Sequence, residues 1–304
     1  MEEFYRKYRP EKFSDVIGQD SVVNIIKNKW KTKTIPHAIL LCGPFGVGKT
    51  TIARIIAKCL KCSPYDLIEK NSADYRGIDD IRAIRSTMNN APIEGDVRVW
   101  VLDECHKITS DAANALLKIL EDPPSHAYFI LATTEPERLL DGIRQRCLVL
   151  KLNPISEESL QAIVQQVCSK EKIKLAEPVM EKLLEYAGGS AREALQILDR
   201  VHQLESKQEQ LEAITKISTT TKVIEIVKLL LNKNTKWNQL TPILKELQGE
   251  DAEQIRYITL SYARSVLLGR DNPRAFRIIE AFRDNFYDCK FSGVVAACYE
   301  VLCS

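Results

Sequence analysis

The stretch HAILLCGPFGVGKTTIARIIAKCL, residues 37–60, limits what this chain can fold into more than any other. An apolar run stops at a glycine, the pattern GxxxxGK[ST] is met in full from Gly43 to Thr50, and apolar residues then recur at helical spacing. A strand, a tight glycine-rich turn and a helix in that order belong to a βαβ unit, so a parallel sheet is the expected framework. Gly43, Gly46 and Gly48 let the backbone curl until its N–H groups face one point, and the dipole of the following helix adds positive potential there. Such a turn holds phosphate. Lys49 is placed to reach the β- and γ-phosphates of a nucleotide and the Thr50 hydroxyl to ligate magnesium, with Pro44, Val47 and Thr51 in the same nucleotide-holding set. The bland alternative, a glycine-rich turn with a chance lysine, sits poorly with the strand before and the helix after.

From residue 38 to about 152, short apolar runs (AILLC, DLIEKN, VRVWVLD, AYFILATT, LVLKL) alternate with helical patterns such as TTIARIIAKCL and DAANALLKILED. That alternation predicts a parallel sheet covered by helices. Beyond it the strand signal stops. SEESLQAIVQQVCSKEKI, with Ser156 as an N-cap, AEPVMEKLLEYAGG and AREALQILDRVHQL all read as helices. The polar segment ESKQEQLEAITKISTTT reads as a linker, and the remainder is again helical. A chain of 304 residues suits two or three domains. The expected division is a phosphate-loop α/β domain at 1–152, a small helical domain at 153–207 and an all-helical domain at 208–304. No internal repeat is visible.

Further motifs bear on the same chemistry. VRVWVLDE delivers Asp103 and Glu104 at a strand end, one to hold magnesium directly or through water and the other to polarise an attacking water. Acidic pairs after strands also serve as helix N-terminal charges, and the phosphate loop upstream favours the metal reading. AYFILATT ends in Thr133 and Thr134, which lie beside a γ-phosphate if this strand sits between the other two; threonine also simply suits strand ends. Arg144 and Arg146 precede the strand LVLKL, either as solvated charges or as an arginine reaching into a neighbouring subunit, and spacing leaves both open.

Composition narrows the field modestly. A net charge of +2 gives no global basic excess, so any DNA contact must be a local patch. There is no apolar run of membrane-spanning length, and the N-terminus MEEFYRKYRPEKF is charged where a signal peptide is apolar, so a soluble cytoplasmic protein without membrane partners is expected. Nine irregularly spaced cysteines read mostly as small buried hydrophobes, and the CxxC of Cys59 and Cys62 has no second pair to complete a zinc site.

These motifs, in this order, resemble the clamp-loader branch of the AAA+ ATPases. KYRPEKFSDVIGQD is similar to that branch's N-terminal segment, GPFGVGKTT to its Walker A, VLDECHKIT to its Walker B, and GGSAREALQILDR to its sensor 2 helix. NALLKILEDPPSHAYFILATTEPERLLDGIRQRC is especially close to the bacterial gamma/tau ATPase subunits. The resemblance covers residues 4 to about 203, and the last hundred residues only by length and helicity. It implies an AAA+ sheet domain, a helical lid and a C-terminal helical collar for oligomerisation. Thr134 falls on sensor 1, Arg192 on sensor 2, and Arg146 on an arginine that acts in trans on the adjacent subunit's ATP. Tyr8, Arg9, Pro10, Val16 and Ile17 fall where the family packs around adenine. With Lys49 and Glu104, the residues Thr134, Arg146 and Arg192 make the expected catalytic set.

The implied cofactors are ATP and Mg2+. The implied partners are other clamp-loader subunits in a five-subunit ring-like assembly, a sliding clamp and primer-template DNA. In the family, ATP binding opens the clamp and hydrolysis releases it. Arg82 and Arg85, three apart and hence on one helix face, and Lys107 are the candidate DNA-phosphate contacts; a solvated helix face is the alternative. Three departures stand out. QRC replaces the usual SRC, the four-cysteine zinc module of bacterial relatives is missing after Walker A, which argues against zinc, and the chain ends near 304 as small replication factor C subunits do. That mixture suggests a streamlined viral, archaeal or unusual bacterial loader. Rival readings are a structural subunit that has lost catalysis, and an AAA+ motor such as a branch-migration helicase or a replication-initiation factor.

Overall fold

The computed structural model describes residues 2–71, 77–269 and 271–303. Contacts divide the chain into two compact units, Met1–Gln203 and Leu204–Ser304.

The first unit opens with α1 (Phe4–Lys7) and α2 (Asp20–Lys31), then runs β1 (Ala38–Cys42), α3 (Lys49–Cys59), β2 (Leu67–Lys70), α4 (Ile78–Met88), β3 (Arg98–Leu102), α5 (Ser110–Glu121), β4 (Ala127–Thr133), α6 (Asp141–Arg146) and β5 (Leu148–Lys151). Three helices complete it: α7 (Glu157–Glu171), α8 (Glu177–Ala187) and α9 (Ala191–Val201). All strand pairings are parallel, in the order β2-β3-β4-β1-β5. The strand carrying the threonine pair therefore does lie between those carrying the glycine loop and the acidic pair.

Both faces of this sheet are covered, which is why its strands read as unbroken apolar runs. Leu40, Trp100, Leu102, Phe129 and Leu131 pack on one side against Ile81 and Ile84 of α4 and Leu116 and Ile119 of α5. Their neighbours Ile39, Leu41, Val99, Val101 and Ile130 pack on the other against Val22 and Ile26 of α2 and Ile52 and Ile56 of α3. Burying one such side chain is worth about 1.5–3 kcal/mol. A one-residue slip would exchange the two faces, so the register Cys42↔Thr133 and Leu102↔Leu131 is firmly specified. That register brings the C-terminal ends of β1, β3 and β4 to one edge. At the other end of the sheet, the buried Asp66 carboxylate accepts from Arg98 and from the N–H groups of Ile93 and Glu94, fixing how β2 and β3 begin.

Ser156 caps α7 as expected, accepting from Ser159 N at 3.3 Å, and Ser190 caps α9 by accepting from Glu193 N at 3.2 Å. The three helices after the sheet are tied to it through Gln19 Nε2 to Asn153 O at 2.7 Å and Ile155 N to Gly189 O at 2.9 Å.

The second unit is helical: α10 (Lys207–Leu231), α11 (Trp237–Glu246), α12 (Ala252–Gly269), α13 (Pro273–Ala281) and α14 (Lys290–Cys303). Its core gathers Val223, Leu230, Leu240, Leu244, Phe282 and Val294. A buried ion pair, Glu253 with Arg256 at 2.8 Å, is completed by Phe286 N donating to Glu253 and by Arg256 donating to the Phe282 and Arg283 carbonyls. The linker expected over ESKQEQLEAITKISTTT is not one: from Lys207 the chain is helix. Ser206 accepts from Glu209 N while the Glu209 carboxylate accepts from Ser206 N, a reciprocal cap that makes a polar segment start a helix. Gln210, Ile214 and Thr219 are buried along it.

Among the described residues no helix is long and apolar enough to cross a membrane. Cys289 and Cys303 are exposed; the other cysteines are at least half-buried, and burial pushes the Cys147 and Cys298 thiols up to about 12.

Candidate nucleotide-binding site

The loop after β1 turns on glycines that nothing larger can replace. Gly46 has φ 73°, and a Cβ there would lie 2.0 Å from Ser190 Oγ. At Gly43 a Cβ would lie 2.4 Å from Leu152 O, so the loop runs tight against the exit of β5. Lys49 opens α3 with its side chain buried, its Nζ donating to Gly43 O at 2.7 Å and Pro44 O at 2.8 Å. Burial lowers its ammonium below the ordinary lysine value, opposed by the charges of Glu104 and Asp103. A phosphate group at the loop would relieve that penalty.

Thr50 Oγ1 donates to Asp103 Oδ2 at 2.9 Å, which brings together the two residues expected to hold magnesium. Hydroxyl and carboxylate oxygens are the hard donors that Mg2+ takes, with water and phosphate filling the rest of an octahedron, so this pair fits that ion. The next residue, Glu104, has φ 53°, a left-handed conformation uncommon outside glycine that turns its side chain away from the line of β3. Its Oε2 accepts from Thr134 Oγ1 at 3.4 Å and lies 3.6 Å from Lys107 Nζ.

A cleft of about 560 Å³ joins these groups. Its walls include Tyr8, Arg9, Pro10, Val16 and Ile17 on one side, the loop from Gly46 to Thr51 at its base, Asp103 and Glu104, and Arg192 of α9. Arg192 N donates to Gly46 O at 3.4 Å, and its guanidinium lies 4.8 Å from the centre of the Tyr5 ring. Tyr8 donates to Glu171 of α7 at 2.5 Å, anchoring the N-terminal arm beside the cleft. Gly43 and Pro44 meet the site through Lys49, and Thr134 through Glu104.

Arg146 does not line the cleft among the described residues; it donates to Glu121 Oε1 at 2.6 Å and Gly142 O at 3.1 Å on the exposed side of α6. Arg82 and Arg85 are exposed on α4, with Arg82 paired to Asp79 at 3.1 Å, whereas Lys107 is drawn to Glu104.

Sequence reasoning missed several residues here. Tyr5 and Phe45 line the cleft. Arg54, held by two 2.6 Å bonds to Glu69, joins Arg9 and Arg192 in a side cavity of about 440 Å³. His106, on the turn after β3, is buried against the end of β4, its Nδ1 2.9 Å from Thr133 Oγ1 and its Nε2 3.2 Å from Glu135 Oε1 and 3.5 Å from Glu104 Oε2. The only signal for it was a histidine two places after the acidic pair in VLDECHKIT.

The gamma subunit of DNA polymerase III from Buchnera aphidicola subsp. Schizaphis graminum is 34% identical over 282 residues, covering 83% of this chain and 78% of that relative. The chain belongs to the DNA polymerase III gamma/tau family. A gamma/tau relative, the tau subunit of Bacillus subtilis, is 30% identical across 98% of this chain and 58% of its own length. Another, the gamma/tau subunit of Mycobacterium tuberculosis strain H37Rv, is 34% identical over 65% of this chain, which spans only 38% of that relative. Family models agree in part: one described as DNA polymerase III, delta subunit, matches residues 63–156, and one described as the Rad17 P-loop domain matches residues 1–89. The Thermotoga maritima RuvB Holliday junction branch migration motor shares the fold at a TM-score of 0.58, 22% identity, and coverage of 73% of this chain and 78% of its own. The architecture of this gamma/tau member is thus an AAA+ α/β domain with further helical parts.

Proposed function

We propose that this protein is an ATPase subunit of a DNA sliding-clamp loader. ATP binding drives clamp opening and engagement of primer-template DNA, and hydrolysis releases the loaded clamp during replication. The observation that carries the reading is the convergence of Lys49, Thr50, Asp103, Glu104 and Arg192 on one cleft, supported by the relatives' shared name. ATP enters with its base against Tyr8, Pro10, Val16 and Ile17 and its phosphates over the loop at 43–51. Thr50 and Asp103 would hold Mg2+, which would supply neutralisation of phosphate charge. Glu104 orients and polarises the attacking water, Thr134 and Arg192 monitor the γ-phosphate, and zinc has no role.

The subunit works in a five-membered ring-like assembly with other clamp-loader subunits in the cytoplasm. Residues 1–152 supply the ATPase domain, 153–207 the lid with sensor 2, and 208–304 the collar. Arg146 completes the neighbour's site, and Arg82, Arg85 and Lys107 touch template phosphates.

Lys49→Ala tests the core of this reading. The variant should stay folded and lose tight ATP binding, because within the protein the Lys49 ammonium is held by two loop carbonyls and lies 5.5 Å from the centre of the exposed Phe45 ring, whereas its charge is the group that bound phosphate would meet. Unchanged nucleotide affinity in calorimetry overturns the phosphate-loop assignment.

A further inference from the structure

His106 is a buried polar group beside the hydrolytic centre, 3.5 Å from Glu104, to which neither the motif nor the proposed mechanism gives a task. It sits on the single turn Cys105–Lys107 after β3, with a side chain only 2% exposed. Both ring nitrogens are engaged, and the chemistry of their partners fixes where the proton lies. Nε2 faces two carboxylates, Glu135 Oε1 at 3.2 Å and Glu104 Oε2 at 3.5 Å, and an ionised carboxylate only accepts. Burial lowers the imidazole below its ordinary value against the pull of Glu104 and Glu135, so the ring carries one proton. That proton is on Nε2, and Nδ1 is the acceptor. Its partner, Thr133 Oγ1 at 2.9 Å, therefore donates, while accepting from Glu135 N at 3.0 Å. The polarity runs one way: Glu135 N–H donates to Thr133, Thr133 O–H donates to His106 Nδ1, and the His106 Nε2–H faces the carboxylates of Glu135 and Glu104 at 3.2 and 3.5 Å.

This relay matters because Glu104 leaves β3 in a left-handed conformation, and its carboxylate has to be aimed by something other than the strand. Thr134 supplies one weak bond at 3.4 Å to Oε2. The competing acceptor, Glu135, already has its charge met by Arg138 at 2.7 Å, which reduces its hold on the imidazole proton. We propose that His106 is a positioning residue for ATP hydrolysis: its Nε2–H, oriented by Thr133, holds the Glu104 carboxylate in the direction from which it polarises the attacking water. The inference rests on the hydrolytic reading of Glu104 and extends it to a buried side chain that touches neither nucleotide nor metal.

Single-turnover ATP hydrolysis by the full chain in its assembly, beside ATP affinity measured by calorimetry, tests it. His106→Phe keeps an aromatic ring in the buried slot and removes both nitrogens. The hydrolysis rate should fall on the order of tenfold to a hundredfold, as expected for a misplaced catalytic group, with ATP affinity within about twofold. His106→Gln, whose amide N–H reaches about as far as Nε2, should recover most of the rate, and His106→Asn, which reaches only about as far as Nδ1, should not. On a Glu104→Gln background His106→Phe should cost nothing further, because the group it aims is gone. Thr133→Val, nearly isosteric and lacking the donor to Nδ1, should reproduce the loss even if His106→Phe does not fold. A normal rate in His106→Phe or Thr133→Val beside a stalled Glu104→Gln overturns the inference alone. So does an equal fall on the Glu104→Gln background. A normal rate in Glu104→Gln overturns the hydrolytic reading and this inference with it.

Discussion

Asp103 and Glu104 are adjacent carboxylates to which the proposed function gives opposite tasks, and their surroundings differ accordingly. Asp103 continues the line of β3 and meets the Thr50 hydroxyl at 2.9 Å, the place of a metal ligand. Glu104 turns aside at φ 53° toward Thr134 and His106, the place of a group that handles water. Glu104→Gln should therefore leave ATP and magnesium binding intact while slowing turnover by roughly 10²–10⁴, the range for loss of a general base. Nucleotide affinity and steady-state hydrolysis of the assembled complex, measured together, check it. A proportionate loss of ATP affinity would instead mean that Glu104 helps hold the metal.

At the scale of elements, two helices carry separate predictions. Arg82 and Arg85 lie on the exposed face of α4, where the ion pair of Arg82 with Asp79 is solvated and weak. Neutralising both should weaken DNA binding more at low salt than at high, and flatten the salt dependence by about one charge each. An unaltered slope in titrations at several salt concentrations returns them to the solvated face. For α10, Ser206→Ala should destabilise the second unit by about 1 kcal/mol, the typical worth of an N-cap, seen as a lower midpoint in denaturant unfolding.

These two helices also show what could and could not be read in advance. The α4 face follows from spacing alone, as do the five strands and the glycine loop, because periodicity and turn chemistry are local. The start of α10 was misread because its polar residues outweighed a capping signal four residues long. The link between His106 and Thr133, 27 residues apart, is set by the pairing of β3 with β4, which no local pattern specifies. Arg54 and Glu69, 15 apart on α3 and β2, were hidden for the same reason.

At the scale of the whole molecule, the question is whether one chain holds a complete site. The cleft gathers the glycine loop, Thr50 with Asp103, Glu104 and Arg192, yet Arg146 sits outside it on α6, paired with Glu121 at 2.6 Å. That pair is solvated, worth about 0–1 kcal/mol, so redirecting the guanidinium toward a neighbour costs little. In the neighbour's site it would stabilise charge spreading over the γ-phosphoryl oxygens, an effect of roughly 10³–10⁵ in rate for arginine fingers. The isolated chain should accordingly be a poor ATPase whose ATP affinity barely responds to Arg146→Ala. In the assembly the same substitution should cut clamp- and DNA-stimulated turnover, and lysine should not restore it, since a point charge lacks the planar fork that contacts two oxygens. Mixing decides the matter. Arg146→Ala subunits combined with Lys49→Ala subunits should regain part of the activity wherever an intact arginine faces an intact phosphate loop. If Arg146→Ala removes ATP binding by the lone chain, the residue acts on its own site and the shared active site is wrong.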